Sequence, residues 1–318
     1  MATYYWVGGD GTWDASSTTN WSATSGGAGG AGVPNNTDTV IFDSASGTGT
    51  CTTASGSECS IATLNTSTLG LTLGANHTMS GVFTLTLGSL SLGSSILTCQ
   101  RFNSNNSNIR SINFGTGNIT LTGNAATIWN MATATNFTVS GTPVVNSNYA
   151  AGTGTRTIGL GSTAGGSLAS AVSFNISSGT DIVSIAGNFI NIDFTGFSGS
   201  LGNSARTIYG NLTISSGMTV TAGTSATTFA ATSGTQQITT NGKTLDFPIT
   251  QNSPSATLQL QDNLTMGSTR TFTLTAGTLD LVDKTLSTGL FNTNNSNVRT
   301  LAFGTGNITV TGLSLIHI

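Results

Sequence analysis

The sequence predicts an all-β protein, a parallel β-solenoid (β-helix) with about 21 residues per coil, from its composition, an internal duplication and a paired apolar pattern. Charged residues make up 6% of the 318-residue chain, against about 25% in ordinary domains. Glu58 is the only glutamate, and Lys243 and Lys284 are the only lysines. Thr, Val, Ile and Phe suit strands, and 42 glycines suit turns. A hydrophobic fraction of 36% and a net charge of -3 do not describe a disordered segment, which combines low hydrophobicity with high charge.

Residues 82–123 align without a gap on residues 271–312, so that Phe102 falls on Phe291. Shorter echoes begin at Arg156, Arg206 and Arg270. Self-similarity of this kind marks repeat architectures. Within each copy, apolar residues come in i, i+2 pairs, the signature of one strand face. The pairs are Phe83/Leu85, Leu90/Leu92 and Leu97/Cys99 in the first copy. Leu258/Leu260, Leu264/Met266, Phe272/Leu274 and Leu279/Leu281 follow later, with Leu286 next. They recur about every seven residues. Three such strands and three corners make one coil, and stacked coils bury their inward side chains on one another. The alternative is a set of antiparallel β-sandwich repeats, in which a segment such as 274–279 folds back as a hairpin. Strict turn dipeptides are rare between the pairs, Asn241-Gly242 being an exception, and the solenoid is the preferred reading.

Residues 1–45 differ from the repeats. They hold Trp6, Trp13 and Trp21, three of the four tryptophans, and the Gly-rich stretch 26–32. They are expected to form a cap or attachment segment over the solenoid edge. Residues 46–312 form the repetitive body. Repeat identity is lost after Gly312, and residues 313–318 are expected to be a non-native tail.

Trp6 to Trp13 spell W-x-G-G-x-G-x-W, followed by Asn20-Trp21, Val33-Pro34 and Asp38 to Phe42. This pattern resembles the opening segment of β-helical bacterial surface proteins and of phage structural proteins. The FGTGNIT segments at Phe114 and Phe303 resemble repeat-rich marine phage proteins. The ending 313–318 resembles a translated sequencing-adapter tail on metagenomic fragments. The resemblance implies a virion component such as a tail fibre, with other virion proteins and host cell-surface glycan as partners and room for a homo-oligomer. A bacterial surface adhesin is the alternative location. No catalytic residue is carried over.

The residues themselves point away from several chemistries. The six arginines are scattered, whereas nucleic-acid tracking needs clustered cations. No apolar run approaches membrane-span length. Residues 1–13 lack the basic-then-apolar order of a secretion signal, which weighs against a secreted adhesin if Met1 is the true start. Cys51 and Cys59 could pair across a turn, but Cys99 leaves the count odd, and buried free thiols are the preferred account.

A β-helical polysaccharide depolymerase is the enzyme alternative. It would need two carboxylates about 5 to 9.5 Å apart. The body offers Asp181, Asp193, Asp246, Asp262, Asp280 and Asp283, which are expected to be solvated surface acids. His77 is the one body histidine, and no nucleophile elbow accompanies it. Asp10, Asp14, Asp38 and Asp43 match no calcium loop and are expected to bond nearby backbone. The Gly-rich stretch lacks a phosphate loop's Lys-Ser/Thr and reads as a flexible connection. The tryptophans are expected to pack rather than to stack on sugars. The asparagine tracts 103–108 and 292–297 are expected to form amide ladders at a corner, with a glycan-binding strip as the alternative. No catalytic residue, cofactor or metal site is assigned.

Overall fold

The strands pair in parallel with strands one coil earlier and one coil later, in a computed structural model that describes residues 1–124, 127–150 and 152–312. The proposed foreign tail therefore lies outside the described residues. There is no α-helix among the described residues, only 3-10 turns at Thr18–Asn20 and Leu168–Ser170. The chain divides into two compact units, Met1–Tyr149 with Arg156–Val172, and Ala150–Thr155 with Ser173–Ile318.

The first unit has three sheet faces. On one face Ala62 lies opposite Phe83, Phe83 opposite Phe102 and Phe102 opposite Trp129. On the second, Leu71 meets Leu90, Leu90 meets Ile112 and Ile112 meets Val139. On the third, His77 meets Leu97, Leu97 meets Ile119 and Ile119 meets Val145. The second unit repeats the plan. Phe272 meets Phe291, Leu279 meets Leu301 and Leu286 meets Ile308 on its three faces. The usual step is 22 residues, as from Leu97 to Ile119, slightly longer than the 21 expected. It stretches to 27 from Phe102 to Trp129.

The paired apolar residues point inward as their spacing requires. Phe83, Leu85, Leu90, Leu92, Phe272, Leu274, Leu279 and Leu281 are all buried. Full burial stabilises by about 1.5–3 kcal/mol per large apolar side chain. Because the pairing is parallel and in register, like side chains stack along the axis. Phe83, Phe102 and Trp129 form one such column, with ring centroids 5.4 and 4.8 Å apart. Cys51, Cys59 and Cys99 are free and buried.

The hairpin alternative fails at the segments that suggested it. Thr271–Asp280 is one continuous strand that bends at Gly277, whose φ is +85°. Asn241-Gly242 joins strands lying on different faces. Gly234–Thr239 pairs with Ile249–Leu260, and Thr244–Leu245 pairs with Leu264–Met266. An antiparallel pair does occur at the N-terminus, where Tyr5 faces Ser22 and Trp6 faces Trp21. Residues 1–45 join the sheets directly, since Thr39–Phe42 pairs in parallel with Ile61–Asn65.

Candidate functional site

Most of the acidic residues accept hydrogen bonds from backbone N–H groups, from a basic residue or from an amide. Asp14 accepts the Ser16 and Ser17 N–H groups at 2.8 and 2.6 Å, and these bonds lower its pKa to about 2. Buried Asp38 accepts the N–H groups of Ala2 and Asn35, the first of which chiefly holds its carboxyl below the usual range. Asp10 takes the Thr50 N–H and Asp43 takes that of Ala45. All four accept backbone N–H groups; Asp14 and Asp43 bond their own turns, as expected, whereas Asp10 reaches a neighbouring coil and Asp38 reaches Ala2 as well as Asn35. Among the described residues no three of His, Cys, Asp and Glu gather as metal ligands.

In the second unit, Asp246 pairs with Arg270 at 2.6 Å and Asp283 with Lys284 at 2.7 Å. The Lys284 bond draws the Asp283 carboxyl below its ordinary range. Asp262 receives the Thr240 N–H and hydroxyl, and half-buried Asp280 receives the Gln259 amide at 3.1 Å. Asp193 caps its own turn through Thr195. Asp181 corrects the expectation of a solvated acid, because it is buried. It immediately precedes the strand Ile182–Asp193, whose alternation places it inward, and its position in the coil was not evident from spacing alone. Asp181 and Asp193 stand at opposite ends of that strand. Ile182 there pairs with Ser200, and Asp193 with Thr213.

His77 lies in the core of the first unit. Its Nδ1 is 3.1 Å from Ser57 Oγ, its Nε2 is 3.6 Å from Cys59 Sγ, and the Trp13 ring lies 5.0 Å away. Burial lowers the imidazole pKa to about 4 and raises the Cys59 thiol far above its ordinary value. The pair is therefore neutral at pH 7, and a buried thiol without a thiolate is a poor nucleophile. Cys59 and His77 are 18 residues apart, close to one coil, and that spacing was the available signal for their meeting.

Trp6, Trp13 and Trp21 are buried, with T-shaped contacts at 5.1 Å between Trp6 and Trp21 and 5.2 Å between Trp13 and Trp21. This is packing geometry. The Gly-rich stretch is not a free connection. Gly30 N–H bonds Thr18 O and Ala31 N–H bonds Trp21 O, and a side chain at Gly29 would collide with the Thr19 carbonyl.

The asparagine tracts form the most regular polar structures of the two repeat copies. Among the described residues the tracts take part in one cross-coil amide pair, from Asn130 Nδ2 to Asn103 Oδ1 at 3.0 Å. Elsewhere the expectation of ladders is corrected, because the amides turn to backbone. Asn108 Nδ2 donates to Thr86 O at 2.9 Å, and its equivalent Asn297 donates to Thr275 O at 3.1 Å. Asn108 N–H bonds Asn106 Oδ1 and Asn297 N–H bonds Asn295 Oδ1, both at 2.9 Å. An arginine closes each loop. Arg110 Nε donates to Asn108 O, Nη1 to Ser104 O and Nη2 to Thr135 O. Arg299 Nη1 donates to the carbonyls of Asn295 and Asn297. Carbonyls thus satisfy a cation that has no carboxylate among these partners.

Hydroxyl and amide groups form columns along the outward strand positions of the second unit. Thr207, Thr228, Thr250 and Thr273 stand opposite one another in successive coils and continue to Asn292. Thr235, Thr257, Thr278 and Thr300 form a second column, and Thr244, Thr265, Ser287 and Thr309 a third. Successive members are separated by the strand spacing of about 4.8 Å.

These features define a three-sided parallel β-solenoid repeat protein with uncharged hydroxyl and amide columns on its faces. Comparison with known proteins finds no matching family model, no matching curated protein and no matching solved structure.

Proposed function

We propose that this protein is a non-enzymatic structural component of a phage virion appendage, a tail fibre or similar part, whose faces meet host surface glycans. The uncharged columns on three faces carry this reading. They give a repetitive body that presents neutral hydroxyl and amide groups in register along its faces, a chemistry suited to contact with the hydroxyls of glycans. The virion assignment rests on the resemblance of the Trp6–Trp13 pattern and the FGTGNIT repeats to phage proteins. The same pattern in bacterial surface proteins makes a cell-surface adhesin the competing location.

Two measurements test it. Antibody raised against the purified chain should label an appendage of intact virions in electron micrographs; label confined to bacterial envelopes would move the protein to the cell surface. Incubation with host capsule or lipopolysaccharide should release no new reducing ends. Release that disappears on Asp181→Asn or Asp193→Asn would make the protein a depolymerase.

A further inference from the structure

Both repeat copies hold out a large apolar side chain at the same loop position. Ile109 is 75% exposed, and its equivalent Val298 is 86% exposed. Each follows the asparagine tract and precedes the clamping arginine. The glycine and asparagine bonds that support it recur atom for atom. Gly88 N–H donates to Ile109 O at 3.0 Å, and Gly277 N–H to Val298 O at 3.1 Å. The paired Asn and Arg bonds described above fix the residues just before. Each side chain therefore stands on a loop that is already ordered, so a ligand would meet little ordering cost.

Each also borders a shallow groove. The first, of about 390 Å³, is lined by Ser67, Leu87, Gly88, Ser89, Ile109 and Ser111. The second, of about 580 Å³, is lined by Asn252, Pro254, Ala276, Asn297 and Val298. Leu87 and Ala276 are equivalent positions in the two copies, so the grooves occupy the same place in the repeat. Neither lining contains a charged residue. Ser89 and Ser111 lie opposite each other on adjacent strands, aligning two hydroxyls beside the Ile109 methyl groups.

We propose that these loops form two equivalent binding sites for neutral saccharide units. The Ile109 or Val298 side chain covers the C–H face of a sugar ring. The Ser89 and Ser111 hydroxyls in one groove, and the Asn252 and Asn297 amides in the other, bond its hydroxyls. An anionic sugar would find no cation in either lining. A protein partner would need about 800 Å² on each side of a standard interface, more than one exposed aliphatic side chain and a shallow groove provide. The inference rests on the glycan-contact part of the proposed function and names where that contact is made.

The experiment uses the whole chain on an immobilised panel of neutral glucans, galactans and mannans beside uronate- and sulfate-bearing polymers. Calorimetry follows with oligosaccharides of whichever neutral polymer is retained. The wild type should retain a neutral polymer and bind its oligosaccharide with two sites per chain. Ile109→Asp and Val298→Asp should each remove one site, and the double variant should lose about tenfold or more in affinity, a difference well resolved in binding. Because both side chains are exposed, the denaturation midpoints should not move. Ser216→Asp, at an exposed turn outside these columns and remote in sequence from both loops, should keep both sites. Retention of a neutral polymer undiminished in the double variant would overturn the loop sites and leave glycan contact standing. Wild-type retention of no neutral polymer, or of anionic polymers alone, would overturn both. Loop-dependent capture of a protein with no neutral glycan retained would also overturn the saccharide assignment.

Discussion

At the scale of single residues, the alternation of burial makes opposite predictions for neighbours. Phe272 is fully buried, with its ring stacked 5.8 Å from Phe291, while Thr273 faces outward. Phe272→Asp should bury an unpaired charge and cost about 4 kcal/mol or more. Thr273→Asp should cost less than about 1 kcal/mol. Urea midpoints read the difference, and equal damage would reverse the assigned faces. His77 makes a prediction about pH. Its folded pKa is about 4, against 6.5 for a free imidazole, and burial is the cause. The unfolded chain therefore binds this proton first as pH falls. The stability of the neutral imidazole is fully present above pH 6.5 and is lost progressively between 6.5 and 4, to a total on the order of 3 kcal/mol. Denaturation curves at pH 7 and pH 4.5 should show the loss in the wild type and only a small remainder in His77→Gln. Asp14 and Asp38, whose pKa values are lowered, lose their contributions only in more acid solution. A wild-type curve that is flat through this window would refute the buried neutral histidine.

At the scale of the element, the corners decide whether a coil closes. Gly88 and Gly277 occupy the same corner of the two copies, with φ of +104° and +85°. A Cβ at either would penetrate the carbonyl of the preceding coil, Thr66 O in one case and Ser253 O in the other. Gly88→Ala and Gly277→Ala should therefore each cost about 2–4 kcal/mol, combining backbone strain with collision. Gly234 has a similar φ of +78° but open space around it. Gly234→Ala should cost only about 1 kcal/mol, for the strained φ alone. Thermal denaturation of the three variants checks the order; a Gly234 variant as unstable as the other two would show that strain, not the close approach of coils, sets the cost.

At the scale of the whole molecule, the duplication supplies an internal control on stacking. Phe114 and Leu121 of the first copy are fully buried, whereas their equivalents Phe303 and Val310 are 44% and 51% exposed. The difference lies in the next coil. Leu121 is paired with Ser147, in the strand Val144–Ser147, while Thr288 is paired with Val310, whose strand is the last of its sheet among the described residues. Strands covered on one side only should open more readily. Amide exchange across residues 299–310 should therefore run about tenfold or more faster than across residues 110–121. Equal protection in the two copies would mean that coil stability is intrinsic to each repeat rather than shared with its neighbours.

The sequence by itself determined the strand class, the inward face of each apolar pair, the coil of about three strands and the equivalence of the two copies. These follow from a period-two pattern and from repetition, which need only local geometry. Burial of the cysteines and tryptophans was legible for the same reason, since their apolar surface has one favourable destination. Only the tertiary structure decided which coil each polar group meets. Asp181 turned inward, His77 met Cys59, and the Asn108 and Asn297 amides reached backbone carbonyls instead of other amides. Each outcome depends on a coil step that varies, 19 residues from Phe83 to Phe102 and 27 from Phe102 to Trp129. A shift of two residues in such a step keeps the inward face but changes every cross-coil partner, and an inward apolar residue tolerates that change because hydrophobic contact is non-directional. A hydrogen-bonding side chain does not, because its partner must lie at the right distance and angle.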